Sequence, residues 1–118
     1  MAINPTSLWR VGAITVASGM ITGAFGAHAI KSRVTPDRLD VWKTASNYAI
    51  VNGLALLAIS MHPRFAVHRF AGPAIAGGSA VFSGSIFTLV LKPEWKIFGP
   101  ITPLAGTVMI AGYVALAL

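Results

Sequence analysis

Few side chains in this sequence could do chemistry, and they do not converge on one reaction. His28, in the run Gly23-Ala-Phe-Gly-Ala-His-Ala-Ile-Lys31, is the first candidate. A histidine at the end of an apolar segment can relay protons, ligate a metal or haem, or touch a lipid phosphate. It can equally be an interfacial histidine hydrogen-bonded to a neighbouring helix. That reading is preferred, because no second ligand stands at metal-ligand spacing from it. Asn47, Tyr48, Asn52, Ser83 and Ser85 form a second group. With His28 they could line a polar cavity, and Tyr48 and Asn52, four apart, share a helix face. Interhelical hydrogen bonding, worth about 0.6 kcal/mol per bond in a membrane, explains them more simply. Phe82-Ser83-Gly84-Ser85 lacks the frame of a nucleophile elbow. There are no cysteines, which excludes thiol catalysis, thiolate metal sites and disulfides. The acidic residues are Asp37, Asp40 and Glu94, none of them inside an apolar run. Neither a carboxylate pair nor a phosphate loop is present. The expectation is a protein that is not an enzyme, with no metal and no cofactor.

The elements that carry these residues follow from composition. Of 118 residues, 55% are hydrophobic and 10% charged; mean hydropathy is +0.73. Soluble domains carry about a quarter charged residues. The chain therefore reads as one integral membrane domain. Its net charge of +6 comes from Lys and Arg confined to ends and loops. That pattern fits anionic lipid, with Arg10, Lys31, Arg33 and Arg38 as headgroup contacts. Nucleic acid is not expected, since no basic face with interleaved aromatics exists.

Four spans are predicted, at about 8–30, 44–61, 73–91 and 101–118. They define an all-α, four-helix membrane bundle with antiparallel neighbours. The first apolar run resembles a leader peptide but is read as a span. The second helix is expected to begin near 36, where Thr35-Pro36 supplies a cap and a proline at the first helical position. Thr102-Pro103 is read as the same signal for the fourth. Trp42 and Trp95 are expected to mark one interface and Trp9 the other. Glycine and alanine recur at every fourth position: Gly19, Gly23 and Ala27 in the first helix, and Gly72, Ala76, Ala80 and Gly84 in the third. Such ladders let helices approach closely. The first and third connectors hold most of the Lys and Arg. By the positive-inside rule they face the cytoplasm or matrix, and both termini face the opposite side.

Several stretches together resemble a known family. They are Gly23 to Lys31, Trp42 to Tyr48 (WKTASNY), Leu54 to Leu57 (LALL), Phe82 to Phe87 (FSGSIF) and Gly99 to Gly106 (GPITPLAG). This pattern is similar to the transmembrane protein 256 / YgdD family of small multi-pass proteins of bacteria and mitochondria. The resemblance covers nearly the whole chain. It implies a four-helix membrane fold and no established reaction. It also implies the mitochondrial inner membrane in a eukaryote or the plasma membrane in a bacterium. The family often has a histidine just before the LALL segment, where this chain has Asn52.

The functional expectation is a non-catalytic accessory, assembly or structural subunit of a membrane complex, such as a respiratory one, or a homo-oligomer. Its partners would be lipid and other membrane subunits or itself. The glycine faces of the first and third helices would be the docking surfaces. The alternative is a small pore or carrier for a neutral or anionic solute, lined by His28, Tyr48 and Asn52.

Overall fold

The structure, a computed structural model, describes residues 4–118. It is all-helical: α1 (Pro5–Phe25), running on into a π-helical turn (Gly26–Ile30); α2 (Pro36–Ser60); α3 (Ala71–Leu91); and α4 (Phe98–Ala117). A short 3-10 turn (Phe65–Val67) lies between α2 and α3. The long dimension is 45 Å, which matches a bilayer with its headgroup layers. Three helical segments are long and apolar enough to cross: Pro5–Ile30, Ala71–Leu91 and Phe98–Ala117. Helix α2 is more polar, but it lies antiparallel along α1 from end to end. Gly53 meets Gly12, Ser46 and Ile50 meet Gly19, and Trp42 meets Gly26. The molecule is thus a helical membrane bundle.

Local signals explain the helix starts. Asn4 accepts from the Ser7 amide at 2.7 Å, with Pro5 in the first turn. Thr35 accepts from the Arg38 amide, with Pro36 next. Asn4-Pro5 is the same signal as Thr35-Pro36, so α1 begins before the expected Leu8. His68 does the corresponding work for α3. Its Nδ1 accepts from the Phe70 and Ala71 amides at 3.1 and 3.0 Å. That starts the helix ahead of Pro73. Thr102 is not a cap: α4 begins at Phe98, Pro103 lies inside it, and the Thr102 hydroxyl donates to Phe98 O.

Helix contacts rest on glycine, and only part of each expected ladder, Gly19 in the first helix and Gly72 in the third, takes part in them. A Cβ on Gly12 would lie 2.9 Å from Gly53 O, and one on Gly53 would lie 2.7 Å from Val16 N. Gly19 and Gly26 continue the contact along α2, and Gly78 lies against Ala105 and Met109 of α4. In α1 the contact glycines are thus Gly12, Gly19 and Gly26, spaced by seven. Gly23 has only Ser46 Cβ nearby, at 3.9 Å, and Ala27 is exposed. The reason is angular. Four residues overshoot a turn by about 40°, so a four-spaced ladder winds off the contact face, whereas seven residues fall only about 20° short of two turns. The α3 ladder winds off in the same way. Gly72 is buried against Leu8 and Ala76 is half-buried, while Ala80 and Gly84 are exposed.

Two apolar clusters fill the ends of the bundle. Ile30, Trp42, Ala45, Ile86 and Val90 form one; Leu8, Leu56, Ile59 and Ile75 form the other. Gly53→Leu should lower bundle stability by about 1–3 kcal/mol, because its side chain would meet α1 backbone. Gly84→Leu, with nothing near its Cβ, should be close to neutral. Thermal unfolding in a mild detergent distinguishes the two.

Candidate functional site

The polar side chains of the bundle gather at two places. The first is its centre. Asn52, 1% exposed, points from α2 between α3 and α4. Its Nδ2 donates to Ser79 Oγ at 3.3 Å and to Met109 Sδ at 3.0 Å. Tyr113 donates its phenolic O–H to Asn52 Oδ1. One amide therefore joins three helices, and Met109 Sδ, which can only accept, selects the orientation with Nδ2 toward it. No buried side-chain nitrogen or oxygen among the described residues lacks a partner. In hydrocarbon this pairing is required.

The second place is the π-turn. Trp42 is buried within the bundle, while Trp9 and Trp95 are exposed. Its indole lies over Gly26, and a Cβ there would sit 2.7 Å from Cδ1. Its Nε1–H donates to Thr22 O at 2.7 Å. The ladder widens just beyond, where Lys31 N reaches Gly26 O at 3.1 Å. Thr22 O accepts from the Gly26 amide as well, so the carbonyl just before the widening carries two donors, and side-chain insertion of this kind accompanies such distortions. Ser46 donates to Thr22 Oγ1 at 3.0 Å, and Phe87 stacks on Trp42 with ring centroids 4.6 Å apart. At the same end, Arg38 donates from Nη2 to Leu89 O at 3.3 Å. It satisfies a carbonyl in the last turn of α3, where positive charge is favoured.

The six residues expected to line one polar cavity do not meet. His28 is exposed on the π-turn, beside an apolar furrow with Ile21, Ala24, Phe25 and Ala29. Asn47 and Tyr48 are exposed on the outer face of α2, where Tyr48 sets its ring edge on Phe82. Asn52 is central. Ser83 donates to Ala45 O at 2.9 Å, and Ser85 shares a hydrogen bond of 2.6 Å with Thr102. Sequence reasoning missed Ser79, Met109 and Tyr113. Tyr113 is the one polar-tipped aromatic of the fourth span, and that was the available signal. Of the basic residues, Arg10, Lys31 and Arg33 are exposed, whereas Arg38 turns inward. Among the described residues no three His, Cys, Asp or Glu side chains cluster as metal ligands.

Fold and site together define a helical membrane protein with a hydrogen-bonded polar centre. A family model described as "Protein of unknown function (DUF423)" matches residues 22–106. A UPF0382 membrane protein of Schizosaccharomyces pombe is 38% identical over 112 residues, covering 91% of this chain and 95% of the relative. A UPF0382 membrane protein of Staphylococcus aureus is 37% identical over 108 residues, covering 90% and 88%. One from Staphylococcus saprophyticus is 34% identical over 110 residues, covering 92% and 91%. The chain belongs to this DUF423/UPF0382 family of membrane proteins, whose function is unknown. No solved structure matches it.

Trp42→Phe keeps the ring and removes the donor. Amide hydrogen exchange across Gly26–Lys31 should then rise by about tenfold, with exchange at the Asn52 centre unchanged. Asn52→Ala should lower the unfolding midpoint more than Tyr113→Phe, because it leaves Ser79, Met109 and Tyr113 all without their Asn52 partner, whereas Tyr113→Phe removes one hydrogen bond.

Proposed function

We propose that this protein is a non-catalytic accessory or assembly subunit of a larger membrane complex, docking through the outer face of α2. The observation that carries this reading is Asn47. It is exposed in the stretch read as membrane-embedded, and among the described residues its side chain makes no hydrogen bond. An amide bare to hydrocarbon costs several kcal/mol. The rest of the bundle pairs its buried polar atoms, so a polar group on a neighbouring subunit is the natural partner for Asn47. Tyr48 beside it adds an aromatic anchor of the kind found in interface centres.

Gly77 supports a second point of approach. It lines a wholly apolar furrow between α3 and α4, with nothing near its Cβ. Helices inside the bundle approach each other at such residues. The pore or carrier reading has no comparable support, because His28, Tyr48 and Asn52 face three different ways.

In this reading Arg10, Lys31 and Arg33 lie against anionic headgroups. Both termini lie opposite the cytoplasm or matrix, as the Lys and Arg distribution favours. The membrane would be the mitochondrial inner membrane in a eukaryote and the plasma membrane in a bacterium. The resemblance to the transmembrane protein 256 / YgdD family supports that assignment, as do relatives in both a yeast and bacteria.

The test is native-mass analysis after gentle extraction from the source membrane. The wild-type chain should migrate with a larger assembly, and Asn47→Leu, a surface change that leaves the fold intact, should migrate alone. Equal migration of the two proteins would overturn the reading.

A further inference from the structure

The second connector uses histidine where other helix starts in the chain use asparagine and threonine. Asn4 caps α1 and Thr35 caps α2, each through a side-chain oxygen. Between α2 and α3 the same work falls to two of the chain's three histidines. His62 Nδ1 accepts from the Arg64 and Phe65 amides at 3.1 and 3.2 Å. His68 Nδ1 accepts from the Phe70 and Ala71 amides at 3.1 and 3.0 Å. Both rings flank Phe65, with centroids 4.7 and 6.0 Å from its own. Phe65 in turn packs against the cluster of Leu8, Leu56, Ile59 and Ile75 that fills this end of the bundle. The two caps thus hold the entry and the exit of the short turn (Phe65–Val67) that carries this apolar plug.

An Nδ1 that accepts from two amides carries no hydrogen, so each ring is neutral with its hydrogen on Nε2. A second proton lands on Nδ1 itself. It turns the acceptor into a donor and sets it against two N–H groups. At His68 it also brings positive charge to the N-terminal end of α3, where the helix dipole disfavours it. The charged side chains at this end are basic: Arg64, whose guanidinium lies over the Phe65 ring at 4.9 Å, Arg69 beside His68, and Arg10 on α1. On α4 the end is marked by Leu118 and its carboxylate. Asp37, Asp40 and Glu94 all lie at the opposite end of the bundle. Asparagine and threonine caps do not titrate, whereas histidine changes charge between about pH 5 and 8. The closed connector binds fewer protons than an open one, so its stability falls as pH falls.

We propose that the second connector is a proton-released latch. On acidification the histidine caps open, the turn between them loosens, and Phe65 leaves the end of the bundle. The furrow of about 210 Å³ between His62, Phe65, Ala58, Ile59 and Leu116 then loses a wall. In the orientation proposed above, this connector faces away from the cytoplasm or matrix, on the more acidic side of an energised membrane. The pH response itself depends neither on that orientation nor on the α2 face that carries Asn47.

The test is amide hydrogen exchange of the full-length protein in phosphatidylcholine nanodiscs, read as protection factors so that the intrinsic pH dependence of exchange is removed. From about pH 8 to about pH 5.5, protection across Arg64–Ala71 should fall about tenfold, the loss of one or two hydrogen bonds, while the Asn52 centre stays protected. The double variant His62→Asn, His68→Asn supplies capping acceptors that cannot titrate, and its protection should agree within about twofold at the two pH values. His28→Ala, which removes the remaining histidine on the π-turn at the other end, should fall as the wild type does. Nitrogen NMR of the wild-type imidazoles needs no variant. At about pH 8 it should show the Nε2–H tautomer at His62 and His68. If the double variant does not fold, the wild type decides: protonation of Nδ1 and loss of protection should share one midpoint. Wild-type protection that does not change with pH, a fall that survives in the folded double variant or vanishes in His28→Ala, an Nδ1–H tautomer at either cap, or separate midpoints overturns the proposal.

Discussion

A polar group inside a bilayer must find its partner within the protein, and the polar groups of α2 find theirs on all three other helices. Ser46, Asn52 and the indole of Trp42 all lie on its buried surface. The other helices can be described by how each meets this demand. Helix α1 supplies the Thr22 carbonyl and hydroxyl. Helix α3 supplies Ser79, and α4 supplies Met109 and Tyr113. Apolar packing alone gives little drive between helices already in lipid. The hydrogen bonds therefore set which helix faces which, and glycine sets how closely.

None of the described glycines has a positive φ. Their use at helix contacts is the missing side chain rather than backbone freedom. At Gly12 and Gly53 two backbones come within reach of each other, so neither position can be enlarged without moving a helix. At Gly26 the gap receives an indole. At Gly77 and Gly84 it receives nothing from this chain, and Gly77 lies on a surface assigned to a neighbour.

Much of the fold was legible because hydropathy, length and caps act locally. Four helices, three connectors and the Thr35-Pro36 start follow from adjacent residues. The site was less legible, for a geometric reason. The four-residue ladder of Gly19, Gly23 and Ala27 is plain in the sequence, but a helix pair selects for seven, which brings in Gly12 and Gly26 and leaves Ala27 outside. Asn52 was singled out correctly as polar at depth. Its partners could not be named, because they lie 27, 57 and 61 residues further along the chain and depend on the rotation of α3 and α4. The inward turn of Trp42 was hidden for a similar reason. A tryptophan near a span end usually anchors the interface, and only the facing Gly26 and Thr22 carbonyl show that this one turns inward.

The π-turn gives α1 one residue more than an ordinary helix would use over the same rise. That extra residue sets the phase of everything after it. With it, Ile30 reaches the cluster around Trp42 and Val90, while His28 stays outside. A chain one residue shorter between Gly26 and Ile30 could close this turn as plain α-helix and still deliver Ile30 to the same neighbours. The segment is therefore a place where length can vary without loss of fold, and relatives with such a deletion should be aligned with the gap there rather than in the connector.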